Sequence, residues 1–100
     1  MISCEPLTKK DLTHVVAFLS EYEQTCVALM SRLIDQGQPV MPPAKFPYRV
    51  LRDEGSEIHG VVMISSTGLV QHCFSSNCII RAQTEPSSFL PLKQLLTSFP

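Results

Sequence analysis

Between Ile58 and Ile64 the chain reads Ile-His-Gly-Val-Val-Met-Ile, with apolar residues side by side and not on alternate positions. A strand with that pattern is one covered on both faces. Two further runs flank it, Tyr48–Arg52 and Leu69–Phe74, and each is bounded by turn residues. Asp53-Glu54-Gly55-Ser56 closes the first hairpin and Ser65-Ser66-Thr67-Gly68 the second. We expect Gly55 and Gly68 to supply the positive φ that short hairpin loops need. The stretch 48–74 is therefore expected to form an antiparallel meander around which the chain is organised.

What surrounds the meander is set partly by size. One hundred residues make one domain, 1–100, or a fragment of one. A hydrophobic share of 44% against a charged share of 17% supports a packed core and argues against a disordered chain. Some of the apolar excess is expected to face a partner or another part of the same protein. The net charge is −1, and the eight basic residues are dispersed, so the basic stripe needed for nucleic acid is absent. No apolar run reaches the roughly 18–20 residues of a membrane span. The N-terminus lacks the basic-then-apolar order of a signal peptide, so a cytoplasmic location is expected. In that compartment Cys4, Cys26, Cys73 and Cys78 are expected to be reduced thiols and not disulfides.

Along the chain, Ile2–Glu5 reads as an edge strand or a disordered start. Thr8 reads as an N-cap, with Asp11 three residues on as its capping-box partner. From Lys9 to Gln36 the apolar period is helical: Leu12, Val15, Val16, Leu19, Tyr22, Cys26, Met30, Leu33 and Ile34 fall on one stripe. A continuous helix of that span would be about 42 Å long at about 1.5 Å per residue, too long for this domain to cover. Ser20-Glu21-Tyr22-Glu23 is itself a capping box, so the spacing predicts two helices with a break near Ser20 and a stop at Gly37. Pro39, Pro42, Pro43 and Pro47 make the next segment an extended connector. After the meander, Cys78–Ala82 reads as a short fourth strand. A last helix over Phe89–Phe99 follows, capped by Ser87 or Ser88, with Phe89, Leu92, Leu95, Leu96 and Phe99 on its buried side.

Chemistry is sparsely encoded. His72, Cys73, Cys78 and His59 carry zinc-ligand atoms, but His72 and Cys73 are adjacent in a strand and point to opposite faces, and there is no C-x₂-C pair. No metal site is assigned. No helix N-terminus is placed under a cysteine to activate it, so no nucleophile is assigned either. Glu21 and Glu23 diverge on a helix, and Asp53 and Glu54 read as a solvated turn. No phosphate-cradling glycine motif occurs. Gly60 stands out, because glycine inside a central strand marks a bulge or a close approach of backbone or ligand.

The order strand, helix, helix, loop, meander resembles the front half of the GNAT acyltransferase fold. Glu57-Ile58-His59-Gly60-Val61-Val62 is similar to that family's E-I-V-G-x-x strand. The resemblance implies an α+β domain: a mostly antiparallel sheet of about four strands, two N-terminal helices on one face and one C-terminal helix on the other or at an edge. It also implies a Q/R-x-x-G-x-G/A loop after the third meander strand, which in the family cradles the acetyl-CoA pyrophosphate at a helix N-terminus. Here that position reads Ser75-Ser76-Asn77-Cys78-Ile79-Ile80-Arg81, with no glycine. No catalytic residue is carried over, and this chain is expected to bind no cofactor: either it is a piece of a longer parent protein that would take acetyl-CoA, or it is a stand-alone degenerate module. The expected function is the acceptor-side or regulatory portion of an N-acetyltransferase, with the Pro39–Pro47 loop and the meander rim shaping an acceptor pocket. Its partner would be a downstream domain of the same protein or a second copy. The alternatives are a non-catalytic interaction or dimerisation domain, and a small-ligand domain with a pocket under the proline loop.

Overall fold

A computed structural model of the protein describes residues 1–22 and 26–97. Strands β1 (Ser3–Pro6), β4 (Tyr48–Arg52), β5 (Ile58–Ile64) and β6 (Val70–Phe74) form an antiparallel sheet in the order β1-β4-β5-β6. The expected meander is present with its central strand in the middle, and the fold is α+β. β1 is an edge strand, its Cys4 facing Leu51 across the ladder.

Alternation along β5 explains its unbroken apolar run. Val61 and Met63 enter a core with Leu12, Val15 and Leu19 of α1 (Leu12–Ser20) and Leu29 of α2 (Val27–Ser31). Val62 and Ile64 enter a second core on the opposite face with Ile2, Leu51 and Cys78. Phe89, Leu92 and Leu95 cover that second core from a 3-10 turn (Pro86–Phe89) and α4 (Leu90–Thr97). The sheet is thus sandwiched, with N-terminal helices on one face and the C-terminal helix on the other. Tyr48 ties the first layer down: its buried hydroxyl donates to the Leu29 carbonyl at 2.6 Å.

Several local expectations are corrected. Cys78–Ala82 is not a strand; it lies in α3 (Ser76–Thr84), because the Ser75 hydroxyl accepts the Cys78 N–H at 3.0 Å and starts a helix directly after β6. The chain breaks at Ser20 as expected, but Ser20 closes α1, its hydroxyl donating to the Ala17 carbonyl at 2.7 Å, and Cys26, not Ser20, is at the cap of α2. Glu23 of the expected capping box lies outside the described residues. The second helix ends at Ser31 and not near Gln36; Gln36 and Gly37 both take positive φ, 52° and 77°, in a tight turn joining β2 (Ile34–Asp35) to β3 (Gln38–Pro39). Two successive positive φ values suit a type I′ hairpin, so Gly37 turns a ribbon here and does not end a helix. The Thr8 hydroxyl donates to the Asp11 carboxylate at 2.8 Å and accepts no backbone N–H, so the expected capping box is only half made. Neither Ser87 nor Ser88 caps the last helix, since both lie inside the 3-10 turn that begins at Pro86. Leu96 is exposed, and Phe99 lies outside the described residues.

Candidate functional site

The β4–β5 hairpin builds its own scaffold. Asp53 Oδ1 accepts the N–H groups of Gly55 at 2.8 Å and Glu57 at 3.0 Å. That bridging turn moves the left-handed position from Gly55 to Ser56, whose φ is 65°. Gly68 does take positive φ, 91°, in the second hairpin. With Oδ1 occupied, Asp53 Oδ2 faces His59 Nε2 at 2.8 Å. The side chains of Asp53 and His59 are 18% and 10% exposed, so Asp53 is an oriented, partly buried group and not a solvated turn residue. His59 and the two backbone N–H groups hold the Asp53 carboxyl below the usual carboxylate range. His59 Nδ1 is buried and has no hydrogen-bond partner among the described residues.

This corner opens onto a cleft of about 580 Å³. Its walls are Ala17, Phe18 and Tyr22 at the end of α1, the Ser56–His59 segment, Arg52 of β4, and Ser75 and Asn77 at the start of α3. His14 and Glu21 add titratable groups to the rim. Arg52 is engaged elsewhere: it pairs with Asp11 and donates to the Ser56 carbonyl at 3.0 Å. The Thr8 hydroxyl, and then Arg52, lower the Asp11 carboxyl below its ordinary value. The Arg81 guanidinium is likewise committed, to Glu54 at 2.7 Å and to Glu85 at 3.6 Å. The carboxylates of Glu21 and Glu57 leave the cleft acidic in character.

The meander rim lines this cleft through the β4–β5 hairpin, but the Pro39–Pro47 loop does not. The proline segment enters β4 at Tyr48, whereas the cleft lies at the Arg52 end of that strand. His72 and Cys73 fall on opposite faces as their adjacency requires: His72 is exposed and stacks on Phe74 at 4.8 Å, while Cys73 is buried. His59, grouped in the sequence with those residues, instead meets Asp53 and Glu57, one ligand-type atom of each lying within 4.8 Å of the others. The spacing D-x₃-E-x-H held a usable signal, since Glu57 and His59 are two apart at a strand start and share a face. None of the four cysteines is joined in a disulfide. Burial, followed by a hydrogen bond with Cys26, pushes the Cys73 thiol up to about 12, which makes it a structural group and not a nucleophile. At the N-terminus of α3, Ser75 takes up one of the helix's leading N–H groups.

Among the described residues no helix is long and apolar enough to cross a membrane. No family model, curated protein or solved structure matches this chain.

Proposed function

We propose that this chain is the acceptor-side portion of a GNAT-type N-acetyltransferase, that it does not itself hold acetyl-CoA, and that its acceptor cleft lies between α1 and the β4–β5 hairpin. The observation that carries the reading is the element order: edge strand, two helices, a short two-stranded ribbon, meander, and then a helix that starts at the position where the resemblance sets the pyrophosphate loop. At that position the chain offers a serine-capped helix start with no glycine and no positive φ, a poor nest for a diphosphate. The cleft beside it combines apolar walls with the carboxylates of Glu21 and Glu57, a lining that suits a cationic primary amine. Four cysteines without a disulfide accord with a cytoplasmic setting.

The test is a titration of ¹⁵N-labelled protein with a panel of primary amines. Saturable shifts are expected at the amides of Phe18, Tyr22, Ile58 and His59. Shifts confined to other surfaces would overturn the placement of the cleft.

A second reading, an interaction domain, is favoured by one feature. Ile79 and Ile80 of α3 are 50% and 56% exposed, and that helix buries only Cys78. On this reading α3 meets a downstream domain or a second copy, and light scattering that finds only monomer excludes the second copy.

A further inference from the structure

We propose that Asp53, Glu57 and His59 form a binding site for a divalent transition-metal ion of the zinc type. The inference does not rest on the acetyltransferase reading, although Glu57 and His59 also line the cleft proposed there for an amine. One ligand-type atom from each residue lies within 4.8 Å of the others. Around a tetrahedral ion with bonds of about 2.0–2.2 Å, ligand atoms sit roughly 3.3–3.6 Å apart. The cluster is therefore close to that geometry: the ion widens the 2.8 Å contact between Asp53 Oδ2 and His59 Nε2 and draws in Glu57.

Two of the three groups are already oriented. Asp53 is fixed by the N–H groups of Gly55 and Glu57, which leaves Oδ2 turned toward His59. His59 is only 8% exposed, its Nε2 faces the Asp53 carboxylate, and its Nδ1 has no partner among the described residues. An ion on Nε2 moves the ring proton to Nδ1. That exchanges an unsatisfied buried acceptor for an unsatisfied buried donor, so the rearrangement adds no new orphan.

Charge favours an ion as well. Glu57 makes no ion pair among the described residues, so with a neutral imidazole two carboxylates share the corner without a cation of their own. Arg52 and Arg81 are both bound to other carboxylates, and Arg81, which also feels the Asp53 charge, opposes binding in part. One imidazole with two carboxylates suits zinc, cobalt or nickel better than magnesium or calcium. Glu57 and His59 also line the cleft, so coordination positions not filled by protein face open space.

The experiment titrates zinc chloride into the metal-free chain carrying Cys4→Ser, which removes the least buried thiol, and follows the imidazole ring signals of His14, His59 and His72. Saturable movement of the His59 signals is expected, with affinity lowered at least about tenfold in Glu57→Gln. Glu57 is exposed, so that variant keeps its metal-free melting temperature. Asp53→Asn is expected to weaken binding similarly. Unmoved His59 signals, or equal affinity in wild type, Glu57→Gln and Asp53→Asn, would overturn the site. Because no acetyl-CoA or amine is present, neither result depends on the acceptor cleft.

Discussion

Gly60 lies in β5 between its two neighbouring strands, facing Leu51 on one side and Phe74 on the other. A Cβ there would meet Phe74 Cδ1 at 2.6 Å, the Cys73 carbonyl oxygen at 3.2 Å and Leu51 Cδ1 at 3.2 Å. Phe74 can swing aside, but the backbone oxygen cannot, so Gly60→Ala is expected to cost about 1–3 kcal/mol by overpacking. Urea unfolding measures that loss; an unchanged midpoint would show that the sheet yields there. The sequence marked Gly60 as a bulge or a close approach; it is tightly enclosed by the neighbouring strands, and the β4–β5 register shifts beside it, between Leu51 and Arg52. It could not show that Ser56, and not Gly55, takes the left-handed position, because the Asp53 side chain decides that turn.

Titration belongs to the same scale. Cys73 has a folded value above its ordinary 9.0, so its contribution is complete below about that pH and is lost as pH rises toward about 12. Burial raises Cys4 and Cys78 in the same direction. Stability is therefore expected to fall on the alkaline side, and native Cys73 should resist alkylation at pH 8 until urea exposes it. Asp11 and Asp53 behave oppositely. Their folded values lie below 3.8, so their contribution is present above that pH and lost as pH falls through the depressed values. The urea midpoint should drop on acidification, and by less in Asp53→Asn.

At the scale of elements, α3 shows where local pattern and local chemistry disagree. Ile79 and Ile80 are β-branched and suggested a strand, yet both are exposed. What decides the outcome is Ser75, which closes β6 by donating its N–H to the His59 carbonyl at 2.8 Å and caps α3 through its hydroxyl. Ser75→Ala is expected to cost about 1 kcal/mol, and Ser75→Asn to restore most of it. Equal stability of the alanine variant and wild type in urea would remove the cap from the explanation. The break after Ser20 was readable because a continuous helix would outrun the sheet. The β2–β3 ribbon was not, since two residues per strand carry no period and Gly37 reads equally well as a helix stop.

At the scale of the whole molecule, the run of apolar residues in β5 sends alternate side chains into two separate cores, and this sandwiched meander was legible before any coordinates. The cleft was not, because α1, the β4–β5 hairpin and α3 lie far apart along the chain and only the sheet brings their ends together. The Asp53–His59 contact escaped for a similar reason: Asp53 was read as solvated, whereas its turn folds the carboxylate inward. The four-stranded sheet runs from β6 directly into a serine-capped helix start without glycine, which is unfit for a nucleotide diphosphate. Calorimetric titration of the chain with acetyl-CoA tests it most directly. The account predicts no saturable heat, and micromolar binding, with Ser75–Cys78 amide signals shifting in parallel, would contradict it.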